Sequence, residues 1–275
     1  MTQVKVHAGR TVRAVGGDTP AQLARPCTPG SPYSFDPQRH PNEPAHGTTH
    51  IWDVWNTLDH TGCRSTAPRF VAEFGLHVPP TRATLTRAVH DEPLRPDSPG
   101  VRLHQEAADG NAKLAGGMSG HLPPPETFED WHWATSLNQA CALAFGVEQL
   151  RSLTPLCMGA VRWQLNDVWP VISWSAVDGD GRCKPMWYAL RRSFRDRLLT
   201  VQPREGGLAL VAVNDSGLRW CVDVPVRRCD VDGAVLAAAS VSPEAFPDPL
   251  VLRSANQLVA GPDRAAALGI GGAGR

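Results

Sequence analysis

Glu73 is the residue whose surroundings best suit chemistry. It sits in PRFVAEFG (68–75), where Phe70, Val71 and Phe74 form a short apolar run bounded by Pro68 and Gly75. That is the pattern of a buried strand opening into a loop. In a parallel α/β barrel, the C-terminal ends of the strands are where catalytic groups face the pocket. A carboxylate walled by aromatics there can act as nucleophile or as acid/base in glycoside hydrolysis. Strand position by itself favours the plainer alternative, a structural ion pair with an arginine such as Arg69.

A second group lies in WQLNDVWP (163–170), which places Trp163, Asn166, Asp167 and Trp169 where a following strand would end. An aromatic platform with polar groups beside it suits a sugar, which has an apolar C–H face and a hydroxyl rim. The alternative is a core tryptophan followed by an Asn-Asp turn. Nine tryptophans are present, eight of them between Trp52 and Trp187. This density fits either a large core or a pocket that stacks flat faces on a ligand.

Histidines invite a metal reading. His46 and His50 are four apart, with His40, His60 and Cys63 nearby. The Thr and Gly between the first two argue against the helix that would align them, and no HExxH is present. No metal site is therefore expected. Asp178 and Asp180 in DGDGR (178–182) resemble the start of a calcium loop, but the remaining ligands do not follow, and a turn is expected. Arg191, Arg192, Arg195 and Arg197 read as a solvated helix face.

Elements that could position these groups follow from the periodicity. Residues 25–50 are rich in Pro and Gly and read as a long irregular loop. HIWDVW (50–55) reads as a strand or the end of one. After a further Pro-rich stretch comes a helix at about 128–153, with Trp133, Leu137, Ala140, Cys141, Ala144, Val147 and Leu150 on its apolar face. MGAVRWQLND (158–167) reads as a second strand-to-loop element, and 184–199 as an amphipathic helix carrying Trp187, Leu190 and Phe194 on one face. Runs 208–215, 219–228 and 234–241 alternate like strands of a small antiparallel sandwich. A boundary is expected near Arg197, and the tail from about 243 reads as irregular. Strand and helix in alternation indicate an α/β enzyme, although too few strands are visible to close a barrel.

Composition narrows the classes. The chain has 275 residues, with 27 Lys+Arg against 27 Asp+Glu, and the basic residues include only 3 Lys. A balanced charge argues against a nucleic-acid surface. No apolar run is long enough to span a membrane, and the N-terminus lacks the apolar stretch of a signal peptide. Seven cysteines, an odd number without a CxxC, fit a reduced cytoplasmic setting.

Four ordered segments carry a resemblance: GTTHIWDVWN (47–56), PRFVAEFG (68–75), FEDWHWATSLNQA (128–140) and the stretch from Trp163 to Arg192. Together they resemble the C-terminal half of the β-mannosidases of glycoside hydrolase family 2, over about residues 29–215. The resemblance implies a retaining hydrolase that removes terminal non-reducing β-D-mannose from β-mannosides or oligosaccharides and uses no cofactor. It implies the C-terminal part of a (β/α)8 TIM barrel over residues 26–197, followed by an immunoglobulin-like β-sandwich over 198–275. Residues 1–25 do not match.

Position by position, the resemblance makes Glu73 the nucleophile, with Ala72 where Ser is also common. It makes Trp163 a pocket-lining residue with Asn166 and Asp167 beside it, and it places His50 and Trp52 near the site. The family's acid/base is a glutamate directly after an asparagine on an earlier strand. The only Asn-Glu here, Asn42-Glu43, matches a different stretch, so the acid/base is not expected within these residues. The chain is thus expected to be a C-terminal fragment with negligible hydrolysis by itself. The competing readings are a non-catalytic carbohydrate-binding or interaction remnant, and an exo-glycosidase for another β-sugar.

Overall fold

The computed structural model describes residues 28–204, 207–216, 218, 220, 221, 223–241 and 251–254. The unmatched segment 1–25 lies outside them. Strand β1 (Thr49–Ile51) pairs in parallel with β2 (Val71–Phe74), with His50 opposite Glu73 and Ile51 opposite Phe74. On the other side of β2 the chain at 158–163 runs parallel too. Val71 N–H donates to the Gly159 carbonyl at 3.0 Å, and Val161 and Trp163 donate back to Val71 and Phe74 at 2.7 and 2.9 Å. The expected strand over 158–167 is reduced to a single bridge, Val71 with Ala160, and the chain bends at Trp163 after its hydrogen bond to Phe74.

Phe74 is buried against helix α5 (Phe128–Arg151), and Val71 belongs to the same apolar core. Its start is fixed by a capping box: Thr127 Oγ1 accepts from Asp130 N–H, while the Asp130 carboxylate accepts from Thr127 N–H. Gly146 is where helix and strand touch, since a Cβ there would lie 2.9 Å from the Phe74 ring. The buried face runs through Trp131, Ala134, Asn138, Ala142, Leu143, Val147 and Leu150. Trp133 and Cys141, expected inside, are exposed. The expected phase was set by the bulkiest apolar residues. Packing instead buries a broad face that includes the amides Asn138 and Gln139.

Between β1 and β2 lie α1 (Asp53–Asn56) and a 3-10 turn (His60–Arg64), and the Pro-rich stretch before α5 holds α2 (Arg82–Ala88), α3 (Pro99–Leu103) and α4 (Gly110–Met118). Each is too short to show a helical period in sequence. Helix α6 (Pro185–Ser193) starts on a proline, whose missing N–H would be unpaired there in any case. It ends earlier than its arginine-rich sequence suggests, leaving Phe194 outside it and 45% exposed.

From Arg197 the period becomes two. Strand β3 (Arg197–Arg204) turns Leu198, Thr200 and Gln202 inward and pairs antiparallel with β4 (Gly207–Asn214). β5 (Val224–Cys229) and β6 (Val235–Val241) form a separate antiparallel pair. β7 (Val251–Ser254) lies in the tail expected to be irregular but pairs with β4, which otherwise has an open edge. The rest of that tail falls outside the described residues. The β-rich part is tied to α5 by polar contacts, including Thr200 Oγ1 to Glu148 (2.9 Å) and Arg151 to Asp215 (2.6 Å). Among the described residues no helix is long and apolar enough to cross a membrane.

Candidate active site

Parallel pairing brings Glu73, His50 and Trp52 to one place. Because His50 sits opposite Glu73 in the register, its imidazole reaches the neighbouring carboxylate, with Nδ1 3.3 Å from Glu73 Oε2. Trp52 Nε1–H donates to the same oxygen at 3.2 Å. The carboxylate remains partly open, with a side-chain exposure of 28%. Arg69, the structural partner considered from sequence, makes no ion pair with Glu73.

His50 is itself held from several sides. Asn42 Oδ1 accepts from His50 N–H at 2.6 Å, Asn42 Nδ2 donates to the His50 carbonyl at 3.0 Å, and Thr49 Oγ1 donates to Asn42 Oδ1 at 2.9 Å. Ser31 Oγ lies 2.7 Å from His50 Nε2. Burial lowers the pKa of His50, against the opposing charge of Glu73. The two ring nitrogens thus face different partners, Nδ1 beside the Glu73 carboxylate and Nε2 beside the Ser31 hydroxyl. Glu73 Oε2 thus takes one hydrogen bond, from Trp52, with the His50 ring beside it, and among the described residues no protein group is hydrogen-bonded to Oε1. An anchored carboxylate with one uncommitted oxygen is what a nucleophile requires.

Beside Glu73 the chain has no room for a side chain at position 75. A Cβ on Gly75 would fall 2.2 Å from the Trp163 carbonyl oxygen and 3.3 Å from the Trp174 ring. Trp163 is thereby set at the end of β2, with its ring 38% exposed, and its peptide bond to Gln164 is cis. Arg162 braces this crossing from below. Its guanidinium bonds the carbonyls of Gln164 and Trp174, and burial lowers its pKa to about 9. Trp174 packs edge-on against Trp52 (6.0 Å) and Trp55 (6.4 Å). His77 completes this aromatic group, 5.1 Å from Trp55 and 5.2 Å from Trp174.

Asn166 and Asp167 lie apart from Glu73. Asn166 is exposed, and its Nδ2 donates to the Asp167 carbonyl. Asp167 is buried, with its carboxylate accepting from Ser173 Oγ (2.7 and 2.8 Å), Ser175 Oγ and Gln164 Nε2 (3.0 Å). Lys184 Nζ is 3.7 Å away, buried like its partner, and burial lowers its pKa to about 8. Asp167 is therefore a cross-brace beneath the loop, not a group presented to a ligand. Ser173 and Ser175 lie only six and eight residues further on, but the loop must fold back to bring them to the carboxylate, which no periodicity in the sequence shows.

The histidines weighed as a metal set do not gather. His50 belongs to Glu73, His40 Nδ1 accepts from Asn42 N–H at 3.1 Å, and the buried Cys63 thiol has its pKa pushed up to about 11 by desolvation. In DGDGR, Asp178 Oδ1 accepts from Asp180 and Arg182 N–H groups, as expected of a turn. Asn42 and Ser31, in a loop that sequence left unassigned, prove to hold His50. Their only signal was the length of that loop.

No protein-family model matches the chain. It is 32% identical over 170 residues to "Beta-mannosidase B" of Aspergillus terreus and 31% identical over 180 residues to that of Emericella nidulans. These matches cover 60% and 63% of this chain but only 20% and 21% of the relatives, so the chain spans about a fifth of their length. Among solved structures it is similar to a β-D-mannosidase from Dictyoglomus thermophilum, with TM-score 0.71 and 28% identity, over 82% of this chain and 28% of that one. An exo-chitosanase from Amycolatopsis orientalis shares the fold, with TM-score 0.57 and 18% identity, over 70% of this chain and 24% of that one.

Proposed function

We propose that these residues supply the nucleophile half of the active site of a retaining β-mannosidase-type glycoside hydrolase. Glu73 is the nucleophile and terminal β-D-mannose is the sugar. The observation that carries this reading is the carboxylate at the end of a parallel strand, anchored through one oxygen by Trp52 and His50. Similarity to enzymes named β-mannosidases supports the sugar. In the same reading the three parallel segments are the last strands of a (β/α)8 barrel over 26–197, and the two antiparallel sheets belong to an immunoglobulin-like sandwich over 198–275.

The chemistry follows from the geometry. Glu73 attacks the anomeric carbon through Oε1 while Trp52 and His50 hold Oε2, and a glycosyl-enzyme forms with loss of the leaving group. Trp52, Trp163 and Trp174 contribute aromatic surface around the sugar. A second carboxylate about 5–5.5 Å away must protonate the leaving oxygen and then activate water. The pairing of Glu73 with His50 and Trp52 assigns that role to neither of them.

The test uses a chimera in which residues 28–241 replace the corresponding segment of the Dictyoglomus thermophilum enzyme. A 2-deoxy-2-fluoro-β-mannosyl fluoride should trap a covalent adduct on the peptide containing Glu73. Glu73→Gln should abolish both the adduct and turnover of aryl β-mannosides. An adduct on another carboxylate removes Glu73 from the role. A folded chimera that binds mannosides without turnover favours the non-catalytic binding remnant instead.

A further inference from the structure

Away from Glu73, three side chains with metal-binding atoms converge without a use in the chemistry above. Asp59 and His60 line a cleft of about 420 Å³ together with Trp55, Leu58 and Lys113. His121, 62 residues further along the chain, closes on them from the segment that leads into α5. Asp59 Oδ2 lies 2.5 Å from His121 Nε2 and 3.5 Å from His60 Nδ1, and the two imidazoles face each other at 4.5 Å. One ligand atom from each of the three lies within 4.8 Å of the others.

We propose that Asp59, His60 and His121 form a divalent transition-metal site, with Zn²⁺ the ion that fits it best. Two imidazole nitrogens and one carboxylate oxygen are a set that Zn²⁺ favours and that Ca²⁺ and Mg²⁺ do not. At tetrahedral angles and bonds of about 2.0 Å, ligand atoms stand about 3.3 Å apart. His60 Nδ1 and Asp59 Oδ2 are already near that spacing. His121, the more exposed histidine, needs to swing out by less than ~1 Å to reach it.

Two further observations point to a ligand. His60 Nδ1 is buried and has no hydrogen-bond partner. A ring nitrogen left unpaired beside a carboxylate is destabilising unless a proton or a cation stands between them. The ligands are also oriented in advance. Asp59 Oδ1 caps the 3-10 turn by accepting from Thr61 N–H at 2.8 Å, which turns Oδ2 toward the histidines. The His60 ring packs edge-on against Phe145 of α5 at 5.3 Å. Such outer contacts fix metal ligands in place.

Three protein ligands leave the fourth position to water. The ion would tie the turn after α1 to the approach to α5, so its role is to brace one wall of the cleft.

Zinc alone, added to the full chain, tests this by equilibrium dialysis and thermal melting. The expected result is a bound ion that raises the melting temperature. His121→Ala and Asp59→Asn should each weaken that binding by roughly 100-fold or more and remove the thermal shift. Asp59→Asn keeps the oxygen that caps the turn, and His121 is exposed enough for its loss to leave the fold intact. Circular dichroism without zinc checks this. If either variant unfolds, Co²⁺ in the wild-type chain decides. Strong tetrahedral d–d bands without thiolate charge transfer support the site, whereas thiolate bands or a weak six-coordinate spectrum overturn it. No zinc bound by the wild type, or equal binding by His121→Ala, also overturns it and leaves a plain His121–Asp59 ion pair.

Discussion

His77 should make this fold sensitive to mild acid. It is fully buried between Trp55 and Trp174, and neither ring nitrogen closes a hydrogen bond. Burial, reinforced by the charge of Lys184, lowers its pKa from 6.5 to about 3. Below pH 6.5 the unfolded chain takes up a proton that the folded chain refuses, so folding stability falls as pH falls. The loss runs from pH 6.5 down to about 3 and then stops. At about 1.4 kcal/mol per pH unit, the His77 contribution at pH 5 is a loss of about 2 kcal/mol. For a chain of this size that is roughly 4–8 °C in melting temperature.

His50, His60 and His132, whose pKa values are also lowered by burial, add to the slope in the same direction. His77→Phe keeps a flat ring between the tryptophans and removes the titrating group. Melting curves at about pH 7.5 and about pH 5 should show the variant losing about 2 kcal/mol less than the wild type between the two. An unchanged difference would mean that His77 is protonated in the folded state or reached by water.

Three other outcomes follow from the site's supports. Arg162→Met leaves the Gln164 and Trp174 carbonyls without their buried donor and should lower stability by about 3 kcal/mol, read by urea unfolding, with a shift in tryptophan emission. Gly75→Ala drives a Cβ into the Trp163 carbonyl and should destabilise by about 3 kcal/mol, whereas Gly30→Ala, with open space around it, should change stability by less than about 1 kcal/mol. Thr127→Ala removes one half of the capping box of α5 and should lower stability by about 1 kcal/mol in the same assay, with Thr127→Ser restoring it.

The strand carrying Glu73 was legible because its signal is local: an apolar run ending in Glu-Phe-Gly needs no distant partner to be read. The change of period at Arg197 and the turn at Asp178 were legible for the same reason. The partners of Glu73 were indicated only by the resemblance, which put His50 and Trp52 near the site without saying how they meet the carboxylate. His50 and Trp52 reach it because β1 lies parallel to β2 in one register, and a register is a property of two segments rather than of either sequence. Asp167 was misplaced for a related cause. A carboxylate after an asparagine in a loop reads as open to ligand, but the loop folds back to put Ser173 and Ser175 on it, and Lys184 at the start of α6 closes over it. The phase of α5 was blurred because Trp133 looks like core in sequence, yet Phe74 presses on Gly146 and sets a different face inward. Local sequence therefore determined where the Glu73 carboxylate stands, since strand and turn are encoded within a few residues. Tertiary packing decided which of its oxygens is held, and by what, because those contacts join side chains 21 and 23 positions apart.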